Sequence, residues 1–291
     1  MFKKFTKKLL SKVFYLFVEQ YSFVHLNKNS ILKLMWYSLR FRLVDWGILL
    51  TKNEKKIASL RNKYKGKRCF IIGNGPSLNT LDLSKLKNEF TFGVNAIYLN
   101  YENMGFYPNF YVIEDYLVAE DRAEEINSYN KSDLKFFGTY LDYVLKKDSK
   151  SIHLNVQMKY TEPFSPFFST NCVRKLGVGG SVTFLCLQLA YYMGFETVYM
   201  IGFDHNYHIP KEAKLDETTV ILSESDDINH FSKSYFGKGY RWHDPKVDRM
   251  AMGFLEAKNK FEKDGRKIIN ATNGGKLEVF PRVTYNKIFQ Q

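Results

Sequence analysis

Short apolar runs alternate with longer amphipathic stretches from residue 68 to the end of the chain. Runs such as CFII at 69–72 and TVYMI at 197–201 are bounded by polar or glycine residues, which is typical of buried strands. The predicted strands are residues 69–72, 91–97, 109–115, 134–140, 151–156, 197–207 and 268–272, and the predicted helices are residues 78–86, 118–129, 181–193 and 245–263. This alternation predicts an α/β fold with a Rossmann-like, mostly parallel sheet and helices on both faces.

A different pattern covers residues 1–66, which we predict to be a basic, amphipathic helical extension. Lysines separate apolar side chains that recur every three to four positions in residues 1–20, namely Phe2, Phe5, Leu9, Val13 and Phe17. A helix with such a stripe lies in a membrane interface over anionic lipid, or packs on its own domain with a solvated basic face. Residues 31–50 continue the pattern with tryptophans beside basic side chains, and residues 51–67 predict a charged helix and linker.

The net charge of +13 arises in this extension. Residues 1–68 hold 17 basic and 3 acidic side chains, whereas residues 69–291 hold 26 basic and 27 acidic ones. The neutral second part argues against nucleic acid as a partner, and the basic first part favours an anionic membrane surface bound through residues 1–50. There is no uncharged apolar run of about 18 residues and no signal-peptide pattern. The three cysteines have no metal-ligand spacing, and an odd number of thiols, mostly in apolar runs, argues for a reducing compartment. We therefore predict a cytoplasmic protein, peripheral on the inner face of the cell membrane.

Residues 67–291 form the predicted catalytic domain, which has one long irregular insertion at about 208–240. This insertion shows no steady periodicity and is rich in serine, aspartate and aromatic residues. Loops of that length inside compact domains are usually active-site lids or disordered inserts, and we predict a lid.

The first predicted strand runs directly into a turn that consists of Gly73, Asn74, Gly75, Pro76 and Ser77. Backbone N–H groups that stay free where a strand breaks at glycines bind phosphate, so the turn predicts a nucleotide site. The turn lacks the lysine of a Walker loop and the third glycine of a dinucleotide motif. The alternative interpretation is a tight strand-to-helix connection without a ligand.

Polar residues also end or follow other predicted strands, at Asn95, Glu114, Asp115 and Asp204. Ligands of an open parallel sheet bind beyond the carboxyl ends of the strands, so these residues predict one common site. Gly179, Gly180 and Ser181 add bare backbone at the start of the predicted helix 181–193, which suits an anion or a ribose hydroxyl.

His243 lies in the segment GKGYRWHDP, between the predicted lid and the last predicted helix. A histidine with a pKa near neutrality takes a proton from an acceptor hydroxyl, and a mobile loop beside it closes over substrate. His243 is therefore a candidate general base. The alternative is that Asp244 caps the helix and that His243 has no role.

The chain resembles two related groups of proteins over roughly residues 66–275. The segments that carry the resemblance are, in order, IIGNGPSL, FGVNAIY, GGSVTFLCLQLAYYMGFETVYMIGFDHNY and YRWHDPKVDRMAMGFLEAKNKFEKDGRKI. One group is the bacterial sialyltransferases, metal-independent enzymes that use CMP-activated sugars and have a single variant nucleotide-binding domain. The other group includes flagellin-modifying motility-associated factors and 6-hydroxymethylpterin diphosphokinase-like proteins. The N-terminal extension is not part of the resemblance.

The resemblance implies roles for individual positions. Those that look like donor-binding residues are Asn74, Ser77, Asn95, Asp115, Gly180 and Ser181. Tyr207 looks like a tyrosine that bonds the departing phosphate, and a second such tyrosine is expected from the lid, where Tyr235 and Tyr240 are both candidates. His243 matches the general base.

The implied function is a metal-independent, inverting glycosyltransferase that needs no cofactor beyond its donor. It would move sialic acid, another nonulosonic acid or 3-deoxy-manno-octulosonic acid from a CMP donor to a capsule, lipopolysaccharide or lipid-linked glycan acceptor. Gly-Gly-Ser stands where sialyltransferases have Ser-Gly, and the lid is rich in acids, so the sugar stays open.

Two other functions are alternatives. The first is a pterin diphosphokinase-like enzyme that uses ATP and Mg²⁺, with Glu114, Asp115 and Asp204 as available ligands. The second is a non-catalytic nucleotide-binding membrane module. The sequence leaves the oligomeric state open, a homo-oligomer included.

Overall fold

The computed structural model describes residues 36, 39–40, 42–158, 160, 163–210, 214–215 and 220–290. Its α-helices are α1 Lys52–Ala58, α2 Tyr101–Met104, α3 Tyr116–Asp121, α4 Ala123–Ser128, α5 Val182–Met193 and α6 Val247–Lys263. Its strands are β1 Arg68–Ile72, β2 Phe90–Val94, β3 Phe110–Ile113, β4 Leu134–Gly138, β5 Ser151–Leu154, β6 Val156–Gln157, β7 Leu176–Gly177, β8 Thr197–Ile201, β9 Lys214–Leu215, β10 Val220–Leu222, β11 Arg241–His243 and β12 Lys267–Asn270.

Seven strands form one parallel sheet in the order β12-β8-β1-β2-β3-β4-β5. The chain moves outward from β1 to β5 and then returns to the opposite side of β1 with β8. The strand order therefore reverses between β1 and β8, which is the switch point at which open α/β sheets bind ligands. The prediction of a Rossmann-like α/β fold is confirmed.

Strand β1 lies in the interior of the sheet, between β8 and β2, and residues 69–72 are apolar on both of its faces. All four side chains are fully buried, as expected for a parallel strand that is covered on both sides. Successive side chains of a strand point to opposite faces. Cys69 lies close to Cys186 of α5, whereas the ring of Phe70 stacks on Phe289, with centroids 5.8 Å apart. Helix α5 thus covers one face of β1, and the C-terminal segment covers the other.

The predicted helical segment at residues 78–86 is present as two short 3₁₀ helices, Pro76–Thr80 and Leu83–Leu86, and not as one continuous helix. Leu81 between them is extended, with φ −107° and ψ 143°. Asp82 begins the second turn, where its side chain accepts a backbone hydrogen bond. Asp82 therefore interrupts the apolar pattern that suggested one continuous helix, because its side chain caps the second turn.

The predicted helix at residues 118–129 is interrupted at Arg122, which ends α3 and precedes α4. The other predicted helices and the predicted strands are present with shifted ends. The largest shift concerns β8, which ends at Ile201 and not at residue 207. Gly202, with φ +73°, turns the chain away from the sheet at this point.

The predicted lid, residues 208–240, contains β9 and β10, which join β11 in a small antiparallel sheet. The short length of these strands explains why the sequence shows no periodicity there. The backbone N–H of Phe231 donates a hydrogen bond of 2.8 Å to the carbonyl of Asn74. The insertion therefore lies directly on the turn that follows β1.

The predicted amphipathic helix in residues 1–20 lies outside the described residues. Helix α1 docks the described part of the extension on the edge strand β5, where the side chain of Asn53 pairs with the backbone N–H and C=O of His153 at 2.9 and 2.8 Å. This pairing occupies polar groups at a sheet edge. None of the helices in the described part of the chain is long and apolar enough to cross a membrane.

Candidate active site

A cavity of about 420 Å³ opens at the carboxyl ends of the strands, at the switch point between β1 and β8. This volume is typical of small-molecule sites. The predicted site residues that line it are Gly73, Asn74, Gly75, Asn95, Asp115, Gly180, Ser181, Asp204, Tyr207, Tyr235 and His243. The predicted residues outside its lining are Pro76, Ser77, Gly179 and Tyr240.

Three backbone N–H groups of the turn after β1 are already hydrogen-bonded within the protein. Those of Gly73 and Gly75 donate to carbonyl oxygens at the end of β8, at 2.8 and 2.9 Å. The backbone N–H and the hydroxyl of Ser77 donate to the carboxylate of Asp204, at 3.2 and 2.7 Å. The expectation that these N–H groups are free to bind a phosphate is wrong. The turn instead fixes the end of β8 and the carboxylate of Asp204 in the cavity wall.

Two buried amide oxygens in the cavity lining have no hydrogen-bond partner in the described part of the chain, Asn74 Oδ1 and Asn95 Oδ1. Asn95 adopts a left-handed conformation with φ +50°, which is strained for a residue with a side chain. The hydroxyl of Tyr111 donates a 2.6 Å hydrogen bond to its carbonyl and holds it there. Unpaired buried acceptors are costly. A ligand hydroxyl or amino group at this wall would satisfy both oxygens.

Helices α5 and α6 both begin at the wall of this cavity, which includes Ser181 and Lys246. Ser181 caps α5, whereas no side chain caps the start of α6. The two helix starts are in contact, because a Cβ atom added to Gly180 would lie 3.2 Å from the backbone nitrogen of Met250. The N-terminus of each helix carries a partial positive charge and unpaired N–H groups. This wall of the cavity therefore favours an anion such as a phosphate.

Two cationic side chains from the start of α6 strengthen this positive wall. Lys246 lines the cavity and forms an ion pair with Asp244. Arg249 also lines the cavity, and its guanidinium lies over the rings of Tyr160 and Phe164, 5.0 and 5.2 Å from their centroids. The aromatic rings fix the guanidinium in position. An anionic group bound at the helix starts would therefore lie among fixed positive charges.

His243 ends β11, and its side chain is partly exposed in the cavity. Its Nε2 lies 3.6 Å from Asp115 Oδ1, and its ring lies 5.1 Å from that of Tyr116. Burial raises the pKa of Asp115, although His243 opposes the shift. The alternative role for Asp244 as a helix cap is not observed, because Lys246 is the N-cap residue of α6 and no side chain caps the helix. The structure thus brings a histidine and a carboxylate together as a pair that can hold and move a proton.

Glu114 is a second carboxyl group in the cavity, directly beside Asp115 in the chain. Burial and the neighbouring charge of Asp115 raise its pKa to about 8, against a weak opposing hydrogen bond from Tyr160. Glu114 is therefore mostly protonated at neutral pH. In this state it donates a hydrogen bond, so it presents a different chemistry to a ligand than the carboxylate of Asp204.

The raised pKa of Glu114 predicts a pH-dependent stability. The ordinary pKa of a glutamate side chain is 4.5, and that of Glu114 in the folded protein is about 8. At pH values between these two, the folded state retains a proton that the unfolded state has lost. The free energy of unfolding therefore falls as the pH rises through this window, by up to about 1.4 kcal/mol per pH unit. Thermal unfolding between pH 5 and pH 9 would measure it. A Glu114→Gln variant should lose most of this slope, and an equal slope in both proteins would contradict the assignment.

Of the two candidate lid tyrosines, Tyr235 lines the cavity and Tyr240 does not. The hydroxyl of Tyr235 accepts a 2.8 Å hydrogen bond from Asn74 Nδ2, and the residue is almost fully buried. The ring of Tyr240 packs against the guanidinium of Arg122 at 4.1 Å. Arg122 also donates to the carbonyl oxygens of Ser234 and Tyr235, at 2.7 Å each. The break between α3 and α4 therefore holds the lid against the cavity.

Glu114, Asp115 and Asp204 are the carboxyl groups that the sequence offers for Mg²⁺. Nucleotide enzymes hold this ion with one or two carboxylates and substrate phosphates. Among the residues that the structure describes, no three His, Cys, Asp or Glu side chains are grouped to hold a metal ion. Asp204 is engaged by Ser77, and Glu114 has a pKa of about 8. Asp115 also has a pKa raised by burial, accepts a hydrogen bond from the backbone N–H of Leu117 and contacts His243. It would therefore hold a Mg²⁺–nucleotide complex only in competition with these contacts.

The cavity lining also includes residues that the sequence did not indicate, namely His230 of the lid, Lys246 and Arg249. Nδ1 of His230 lies 2.8 Å from Asp227 Oδ2. No local pattern indicates His230, because the lid is irregular and the position of His230 depends on contacts with the turn after β1. Lys246 and Arg249 lie near the start of the predicted helix 245–263, at the end of the helix where anions bind.

Residues 49–210 match the family model described as 6-hydroxymethylpterin diphosphokinase MptE-like. This match covers β1 to β8 and therefore includes the turn after β1, both sides of the switch point and the start of α5. A comparison with curated proteins found no match to the chain.

Proposed function

Because the chain belongs to the 6-hydroxymethylpterin diphosphokinase MptE-like family, we propose that it is an enzyme that transfers a group from a nucleotide donor to the hydroxyl of an acceptor. One observation carries this proposal. A single cavity at the switch point combines two helix N-termini on one wall with the pair of His243 and Asp115. The first feature suits the phosphate of a donor, and the second suits removal of a proton from an acceptor.

In the proposed reaction, Asp115 attracts Nε2 of His243 and leaves Nδ1 to take the proton of the acceptor hydroxyl. The acceptor oxygen forms a bond to the group being transferred, while the bond between this group and the donor phosphate breaks. The electron pair of that bond stays on the phosphate oxygen. The helix starts at Ser181 and Lys246 stabilise the resulting charge, because their dipoles are already oriented before the reaction.

We propose a CMP-activated acidic sugar as the donor, as the sialyltransferase resemblance implies. Arg249 and Lys246 would pair with the carboxylate or phosphate, and Asn74 Oδ1 and Asn95 Oδ1 would accept hydrogen bonds from hydroxyl groups. Glu114, whose pKa is about 8, is a poor Mg²⁺ ligand at neutral pH. This property supports a donor whose leaving phosphate is stabilised without a metal ion.

Diphosphoryl transfer from ATP is the second candidate, which the family description favours. Asp115 would hold the Mg²⁺–nucleotide complex, and the ion would supply positive charge to the reaction. The same helix starts would then face the phosphates of ATP. In this reaction His243 would activate an acceptor hydroxyl such as that of a pterin.

A nucleotide screen distinguishes the two donors. We expect CMP to raise the thermal unfolding midpoint of the full chain, with the same shift in EDTA and in Mg²⁺, and ATP to have little effect. A shift with ATP that disappears in EDTA would contradict the CMP donor and support diphosphoryl transfer. No shift with CMP, CDP, UDP, GDP or ATP would contradict the proposed function as a whole.

We further propose that the N-terminal extension binds the inner face of an anionic membrane. Supporting this, large apolar side chains of its described part are exposed to solvent and form what we call the apolar patch, namely Trp36, Leu39, Trp46, Ile48 and Leu50. The extension also carries the excess of basic residues. Exposed tryptophan beside basic side chains is typical of proteins that lie in a lipid interface. This surface would hold the enzyme close to lipid-linked acceptors.

Trp46 is 76% exposed, so its replacement should affect membrane binding without disturbing the core. We expect Trp46→Ser to weaken binding to anionic vesicles about tenfold, because the serine side chain buries less apolar surface in the membrane than tryptophan does. Leu255→Ser is the matched control, since Leu255 is an exposed apolar residue of α6 outside the patch. Vesicle sedimentation measures both variants. Equal binding of Trp46→Ser and wild type would contradict this role of the patch.

A further inference from the structure

The lid contributes a second histidine–carboxylate pair to the cavity, Asp227 and His230. His230 Nδ1 lies 2.8 Å from Asp227 Oδ2, which is closer than the corresponding contact of His243 with Asp115, at 3.6 Å. Asp227 is almost fully buried, and His230 is largely buried. The proposed transfer reaction uses the pair of His243 and Asp115 and gives this second pair no role.

The contacts of the His230 ring fix its orientation. The ring stacks on Tyr235 with centroids 4.0 Å apart and an interplanar angle of 6°, and it meets Phe236 edge to face at 5.1 Å. Burial alone would raise the pKa of Asp227, but hydrogen bonds from His230 and from two backbone N–H groups outweigh it, so the pKa is lowered. Asp227 therefore stays ionised and holds Nδ1–H of His230. Nε2 is the ring nitrogen that remains for a ligand.

The lid segment that carries His230 is attached to the donor side of the cavity. The next residue, Phe231, donates its N–H to the carbonyl of Asn74 and accepts a 3.0 Å hydrogen bond from Asn79 Nδ2. The stacking partner of the ring, Tyr235, is bonded to the side chain of Asn74. His230 is thus positioned on the turn after β1, in the same cavity as the helix starts of α5 and α6.

We propose that His230 is a catalytic residue that binds the leaving phosphate of the donor, an inference that rests on the proposed function. Its Nε2–H donates a hydrogen bond to a phosphate oxygen as the bond to the transferred group breaks, and the proton stays on the ring nitrogen. Asp227 holds the ring in the orientation that presents Nε2. The phosphate is then held between the positive helix starts on one wall and His230 on the other, while His243 takes the proton of the acceptor.

The experiment compares a nucleotide with its nucleoside, which lacks the phosphate. Calorimetry would measure the affinity of the full chain for CMP, cytidine, ADP and adenosine. We expect His230→Gln to weaken binding of the preferred nucleotide about 10- to 100-fold, the effect of a lost hydrogen bond to a charged group. Binding of the nucleoside should not change. Asp227→Asn, which keeps the imidazole ring, should weaken nucleotide binding in the same direction by a smaller factor.

His208→Gln is the matched control, because His208 belongs to the same insertion but is exposed and outside the cavity lining. It should bind nucleotide and nucleoside as the wild type does. Unchanged nucleotide affinity in His230→Gln would overturn the proposal, and so would an equal loss for nucleotide and nucleoside, which indicates a structural role. A wild-type protein that binds none of the nucleotides of the screen would contradict the proposed function itself, whereas the first two results contradict only the role of His230.

Discussion

The His243→Ala variant is expected to lose transfer activity by about 10²- to 10⁴-fold, the usual contribution of a general base. The expected loss follows from geometry, since His243 lies at the end of β11 in the cavity with its Nε2 3.6 Å from Asp115. Without the imidazole, the acceptor hydroxyl has to attack before its proton has a base to receive it. Steady-state rates of transfer, measured with saturating donor, give the effect on kcat.

Nucleotide binding should survive in His243→Ala, because the donor contacts lie on the helix starts and the turn after β1. An Asp115→Asn variant should show a smaller loss of kcat, since the base remains and only its charge partner is neutralised. His208→Ala serves as the control for removal of an imidazole from the insertion, because His208 does not line the cavity. Full turnover by His243→Ala would contradict its role as the base.

Gly73→Ala should destabilise the protein and abolish nucleotide binding. A Cβ atom at Gly73 would lie 2.5 Å from the carbonyl oxygen of Gly202 and 2.9 Å from its carbonyl carbon. Both are backbone atoms, so β1 and β8 would have to separate at the switch point. We expect the free energy of unfolding to fall by about 3 kcal/mol, which is at the upper end for overpacking. Thermal or denaturant unfolding measures this change.

Gly105→Ala provides the control for Gly73→Ala. Gly105 has φ +69°, and a Cβ atom there would have no neighbour within 4 Å. Its replacement should cost about 1 kcal/mol through backbone strain alone and leave nucleotide binding intact. Equal stability losses in the two variants would show that close packing of the turn against β8 is not the reason for glycine at position 73.

The fold could be predicted because the apolar pattern of residues 68–272 follows the burial of the strands. Residues 69–72 are apolar on both faces and form an interior strand. The break within residues 78–86 could not be predicted, because their apolar spacing fits one continuous helix while Asp82 favours a cap that starts a separate turn. The break at Arg122 depends on contacts with the lid, which no local pattern contains.

The location of the candidate site could also be predicted, because the carboxyl ends of parallel strands meet at one edge of the sheet. Asn74, Asn95, Asp115 and Asp204 all line the cavity there. Their individual contacts could not be predicted. The sequence suggested free N–H groups in the turn after β1, but those of Gly73 and Gly75 bond to carbonyl oxygens at the end of β8, and that of Ser77 bonds to Asp204. The pairing of β8 with β1 is a contact between distant parts of the chain, and the same is true of the position of His230.

The membrane role of residues 1–50 and the identity of the donor remain proposals that depend on different parts of the chain. The first depends on the apolar patch and on the basic extension. The second depends on how the cavity holds a phosphate. Loss of vesicle binding would therefore leave the proposed chemistry untouched, and the two can be tested separately with the variants of Trp46 and His230.

A crystal structure with the nucleotide selected by the screen tests the central claim most directly. We predict that its phosphate lies within hydrogen-bond reach of the starts of α5 and α6, near Ser181 and Lys246, with an acceptor hydroxyl able to approach His243. A nucleotide bound outside the cavity, or one whose phosphate lies out of hydrogen-bond reach of both helix starts, would contradict the account.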